Sequence, residues 1–310
     1  MLTTTDLKHG LLDDFAPKGL KLPPVLSPEL AEALARVEGL SPEEAARDEA
    51  LWTEVRKAFL TSPELINLNV GGVCPQPICV QEAEYQLTRF INLAPAYQMW
   101  WVLEDGREVA RRRLSELAGC DPEELAILRN TTEALDNVIN NLPLQAGDEV
   151  VVTNQDYPNM KAAWRNREGK DGIVLNWVDL KMPSANDDEL AAGYTRHFGP
   201  KTKATSITHM VHWTGQVNPI RRIADNAREQ GIVAIGDCSH TFCHLDYTFP
   251  ELGLDYAGTS LHKWLSAPFG TGLLYVPKEN IPKLRPLMPF RDLDPTGDDI
   301  RKFEGQGTRA

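Results

Sequence analysis

The residues able to do chemistry here are one lysine, one aspartate and a set of hydroxyls and rings. Lys263 stands in TSLHKWLSAPFGTGLLYV, between His262 and Trp264 and ahead of a strand-like apolar run. An amine in such company is either a snorkelling surface residue or a partly dehydrated nucleophile, because desolvation disfavours its charged form. Asp237 closes the apolar run IVAIG. Alone it reads as a turn or cap residue, yet the carboxyl ends of strands are where open α/β sheets bind ligands. Thr131-Thr132-Glu133 opens a helix-like segment. N-capping explains it, and so does a phosphate held by hydroxyls and free N–H groups at a helix N-terminus. Tyr157 in NQDYPN is a loop aromatic or a ring-stacking platform. The stretch CSHTFCH, Cys238–His244, raises zinc, but one cluster without a second ligand pair lacks the usual spacing. Buried strand thiols explain it better, and no metal site is expected.

These residues need elements to position them. Short apolar runs (AILR, VVVT, IVLNWV, KATSITHMV, IVAIGD) alternate with amphipathic segments such as TTEALDNVINNL and PIRRIADNAREQ, the latter stopped by Gly231. That alternation predicts an α/β fold, a mostly parallel sheet flanked by helices. Upstream, Ser41, Pro42 and Glu44 make a capping box with Pro at the first helical position. Helical patterns follow around 81–95 and 107–118, and Asp121-Pro122-Glu123-Glu124 starts a short helical turn. INLNVGGVCPQP reads as a strand-like piece broken by glycines and prolines.

Composition narrows the function classes. The 310 residues suit two domains or one large α/β domain, with 42% hydrophobic and 25% charged residues. Thirty-two basic against 44 acidic residues give a net charge of −12. Without a basic stripe, nucleic-acid binding is not expected. No apolar run reaches the roughly 18 residues of a membrane span, and MLTTTDLKHGLLDDFAPKG lacks the basic-then-apolar order of a signal peptide. Five scattered cysteines suit reduced thiols and a cytoplasmic location. GxxxxGK[ST] is absent, and Gly270-Thr271-Gly272 precedes a strand-like run rather than a helix, against phosphate-loop and dinucleotide readings.

Taken in order, RNTTEALDNVINNL, GDEVVVTNQDYP, THMVHWTGQVNPI, IGDCSH, TSLHKW with PFGTGLLYV, and GQGTR resemble the class V aminotransferase family. These are pyridoxal-phosphate enzymes of fold type I, and the similarity is greatest to the isopenicillin N epimerase-like and cysteine desulfurase-like branch. The resemblance covers roughly residues 65–310. It implies that Lys263 forms the Schiff base with pyridoxal 5'-phosphate, that Asp237 pairs with the pyridine N–H⁺, and that His240 approaches the 3-hydroxyl. Tyr157 would stack on the ring. Thr131, Thr132, Ser260 and His262 would hold the phosphate, and Thr308 would reach the phosphate of a neighbouring subunit, implying a homodimer with shared sites. His212 lies near the family's ring-facing loop, where packing is an equal alternative.

The resemblance further implies an N-terminal arm (1–70), a cofactor-binding large domain (71–290) and the start (291–310) of a connection to a small domain that is missing. In the family that small domain carries the arginine for the substrate carboxylate and, in desulfurases, a persulfide cysteine. The implied activity acts on an amino acid, a small-molecule substrate, through an external aldimine, with Cα–H or Cβ–S chemistry. Transamination and a cofactor-binding but inactive relative are the alternatives.

Overall fold

The computed structural model describes residues 20, 22–184, 186–290, 292–305 and 307. The chain forms two compact units, residues 1–110 with 266–268, and residues 111–265 with 269–310.

In the first unit, helix α1 (Pro28–Arg36) is capped by Ser27, and α2 (Pro42–Ala45) carries the capping box expected at Ser41 and Glu44. Helix α3 (Glu49–Lys57) is capped by Asp48, and α4 spans Ile78–Leu93. Leu30, Ala33 and Leu51 make a small core between α1 and α3. The segment INLNVGGVCPQP is no strand. Its only pairing among the described residues is an isolated bridge from Pro77 to Phe59. Pro75 and Pro77 cannot donate to a ladder, and Gly71-Gly72 weakens extended pairing further.

Helix α5 (Glu104–Ala118) leads into the second unit. There a seven-stranded sheet has the order β1-β7-β6-β5-β4-β2-β3. Its strands are β1 (Leu125–Leu128), β2 (Glu149–Thr153), β3 (Val174–Val178), β4 (Thr202–Thr208), β5 (Val233–Asp237), β6 (Tyr256–Ser260) and β7 (Gly272–Tyr275). β7 runs antiparallel to both β1 and β6, while β6, β5, β4, β2 and β3 pair in parallel. The carboxyl ends of β1–β6 therefore share one edge. The expected mostly parallel sheet is present, with the single antiparallel strand as the departure.

Helices cover the sheet through apolar stripes. In α9 (Ile220–Glu229), preceded by α6 (Thr131–Asn141), α7 (Pro158–Asp171) and α8 (Asp187–Thr195), the buried positions are Ile220, Ile223, Ala224 and Ala227. That is one helical face at i, i+3, i+4 and i+7. Val150, Val152, Leu135, Val138, Met160 and Trp164 meet in the main core, each large side chain contributing about 1.5–3 kcal/mol on burial.

A buried ion pair ties the chain's far end to the sheet. Arg111 donates to Glu304 at 2.7 Å, and the same carboxylate accepts the Ile127 N–H at 2.6 Å. With both charges paired and hydrogen-bonded, removing one partner would cost about 3–5 kcal/mol.

Candidate active site

The site lies on the shared carboxyl edge, where six strand ends release their loops. Parallel register sets Thr208 of β4 beside Asp237 of β5. Asp237 is buried, and its Oδ1 accepts the Ser239 N–H at 3.0 Å. Ser239 Oγ lies 2.5 Å from that same oxygen and 2.7 Å from Thr131 Oγ1.

The helix opening at Thr131 is capped by Asn130, whose Oδ1 accepts the Glu133 N–H at 2.9 Å. Capping therefore does not employ the two threonines, contrary to the simpler reading of the sequence. One residue upstream already supplies the acceptor, so Thr131 is left to face the loops. Its N–H donates to Ser260 Oγ at 3.0 Å, and the two hydroxyls are 2.7 Å apart. Thr132 is half-buried. Gly272 makes this junction possible, because a Cβ there would lie 2.6 Å from the Asn130 backbone.

Lys263 follows β6 on a loop pinned at its base. Leu261 N–H donates to the Thr271 carbonyl at 2.9 Å, and His262 Nδ1 lies 3.1 Å from that oxygen. The Lys263 amine is half-buried, 3.3 Å from His240 Nε2 and 6.0 Å from the centre of the Tyr157 ring. Burial lowers its pKa below the ordinary lysine value, with Asp237 opposing the shift. His240 is pushed down to about 4, first by burial and then by the Lys263 charge. It is therefore uncharged at neutral pH. His212 is exposed, with its ring edge-on to Tyr157 at 5.5 Å and parallel to His240 at 6.5 Å. Two rings thus flank the amine, and His212 packs against both of them. Thr308 lies outside the described residues.

Two residues here carried no signal in the sequence reading. One is Ser239, whose neighbours come from a segment 108 residues away. The other is Asp156, fully buried just before Tyr157. It accepts from Thr153 N at 3.0 Å, Thr153 Oγ1 at 2.8 Å and Thr208 Oγ1 at 2.8 Å. Burial still lifts its pKa from 3.8 to about 6, and the Asp237 charge adds to the rise. A carboxyl whose pKa rises on folding adds stability that is full below its unfolded pKa and disappears as pH climbs through the folded one. Relative to Asp156→Asn, the wild type should lose about 3 kcal/mol between roughly pH 4 and pH 6. Denaturation across that range checks it, and a constant difference would contradict the assignment.

The CSHTFCH cysteines are not both strand thiols. Cys238 is buried just beyond β5, whereas Cys243 is exposed in a turn at φ 60°.

The aminotransferase class-V family profile matches residues 74–292, more than half of the chain. The chain belongs to that family. Class-V members are pyridoxal-phosphate-dependent enzymes. Among relatives, the isopenicillin N epimerase of Streptomyces clavuligerus is 28% identical over 275 residues, covering 83% of this chain and 68% of that protein. A solved C-DES variant with glycine covalently linked to its pyridoxal-phosphate cofactor superposes with a TM-score of 0.69. It shares 25% identity over 80% of this chain and 68% of its own. The cystine C–S lyase C-DES with its product cysteine persulfide gives 0.67 at 25% identity, over 76% and 65%. The class-V chain thus spans about two thirds of the length of these proteins. No helix among its described residues is long and apolar enough to cross a membrane.

Proposed function

We propose that this class-V chain binds pyridoxal phosphate on Lys263 and acts on a small amino acid at Cα–H or at a Cβ–S bond. The observation that carries the reading is the half-buried Lys263 amine, ringed by His240 and Tyr157 and opposed by the buried Asp237. The residues present fit the cofactor. Hydroxyls of Thr131 and Ser260 meet at the N-terminus of the 11-residue helix α6, a donor set suited to a phosphate dianion. When bound, the cofactor supplies an electron sink for a bond broken at Cα.

The chain's own groups do the rest. Lys263 needs its free amine to attack an aldehyde, and its lowered pKa raises the uncharged fraction at neutral pH. With the cofactor bound, the same Nζ would be the group placed to take or return a Cα proton. Asp237 would hold a proton on the pyridine nitrogen through a charge-assisted hydrogen bond. His240, uncharged, presents Nε2 toward the amine and would meet the ring's 3-hydroxyl, and Tyr157 would cover one ring face. Relatives named as an epimerase and as a C–S lyase favour racemising or C–S-cleaving outcomes over general transamination. Incubation in deuterated buffer with simple amino acids and cysteine conjugates tests this. Deuterium at Cα, or pyruvate with released thiol, is the expected result. Clean amino transfer to a 2-oxo acid with neither product would sink it.

The proposal includes a homodimer with shared sites, Thr308 reaching the neighbour's phosphate. Leu65, Ile66, Leu68, Leu93 and Trp101 of the first unit are each at least 69% exposed, apolar surface of the kind that marks an interface. Sedimentation equilibrium should return twice the 34.6 kDa chain mass, and a monomer at micromolar concentration would count against it. A cytoplasmic location is proposed from five cysteines that are all free thiols.

A further inference from the structure

The phosphate cradle and the ring-nitrogen carboxylate are not separate in this chain. Ser260 Oγ, Thr131 Oγ1, Ser239 Oγ and Asp237 Oδ1 follow one another at 2.7, 2.7 and 2.5 Å, and all four residues are buried. Each hydroxyl has a single proton, and an ionised carboxylate can only accept. The one Ser239 proton has two acceptors within reach, Asp237 Oδ1 at 2.5 Å and Thr131 Oγ1 at 2.7 Å, and the shorter contact to an ionised carboxylate takes it when the cradle is empty. Ser260 Oγ receives the Thr131 N–H at 3.0 Å. The Ser239 proton thus has two alternative acceptors, and the Thr131 and Ser260 protons lie at the helix N-terminus.

An anion at the helix N-terminus competes for them. The unprotonated oxygens of a phosphate accept from Thr131 and Ser260, so their hydroxyls turn toward it. Thr131 Oγ1 then becomes an acceptor facing Ser239, and the Ser239 proton swings from Asp237 to Thr131. A carboxylate that loses a hydrogen bond becomes more basic and grips a pyridinium N–H more firmly.

We propose that Ser239 is a positioning residue that couples the two ends of the site, so that an anion in the Thr131–Ser260 cradle strengthens the hold of Asp237 on the ring nitrogen. The proposal rests on the pyridoxal-phosphate reading above and deepens it. Such coupling is reciprocal.

The test separates the two ends of the cofactor. Apoprotein of the full chain is titrated with 5′-deoxypyridoxal, with and without inorganic phosphate, following the visible absorbance of the lysine-bound probe. In wild type, phosphate should tighten the probe about tenfold, the scale of one hydrogen bond to a charged group. In Ser239→Ala, equilibrium dialysis should still show phosphate binding, while the tightening falls to within twofold of none. Ser239→Thr, which restores the hydroxyl, should restore it. Matched thermal melts establish that the variants are folded, and a merely structural role for Ser239 would not move the ratio.

Full coupling in Ser239→Ala, or none in wild type with both probes bound, overturns the inference and leaves the cofactor reading standing. Failure of pyridoxal phosphate itself to attach to Lys263 overturns that reading, and the inference with it.

Discussion

Lys263→Ala should lower turnover of any amino-acid substrate by at least about a thousandfold, the scale of losing a positioned acid–base group, while leaving the fold intact. The side chain is only half-buried, and its one polar contact among the described residues is the 3.3 Å approach to His240. Its truncation therefore opens little cavity and strands no buried donor, so a stability change near ±0.5 kcal/mol is expected. Removing a cation should also release His240 upward from about 4, because the Lys263 charge is the second cause of its depression after burial. Histidine titration by NMR on folded protein reads this shift, and steady-state kinetics read the rate. A variant that keeps wild-type turnover would remove Lys263 from the chemistry.

Asp237→Ala carries the second large effect. Its carboxylate is buried at the end of β5 and accepts the Ser239 N–H and hydroxyl. In the proposed function its task would be to stabilise positive charge on the ring nitrogen as electrons arrive from Cα. Losing one preorganised charge partner costs about 10²–10³-fold in rate. Folding should suffer less, by about 1–3 kcal/mol for the donors left unsatisfied. Asp237→Asn separates the two effects, since the amide oxygen still accepts from Ser239 but carries no charge. Its stability should approach wild type while its rate stays low. Equal rates for Asp237→Asn and wild type would contradict the role.

Much of this site was legible in the sequence because its residues sit where local pattern is strongest. Asp237 ends an apolar strand, and Lys263 precedes one. Tyr157 follows β2, and the two threonines open an amphipathic helix. Strand β6 was harder to see. YAGTS has no apolar run, since α6 packs so closely that a Cβ on Gly258 would lie 2.8 Å from Leu135. Close packing removed the hydrophobic signal that normally announces a strand. The antiparallel course of β7 was hidden too, because LLYV reads alike in either direction. The bridge from Ser239 to Thr131 joins positions 108 apart, and it is the β1-β7-β6-β5 order that puts the exits of β1, β6 and β5 on one edge within reach of one another. INLNVGGVCPQP misled in the other direction: its apolar residues suggested extended pairing that its prolines forbid.

The central claim is that one lysine carries the cofactor, and borohydride reduction tests it most directly. Protein incubated with pyridoxal phosphate is reduced, digested and mapped by mass spectrometry. The account predicts a pyridoxyl adduct on Lys263, within the peptide that includes TSLHKW. An adduct on a different lysine, or none after saturation with cofactor, would contradict it.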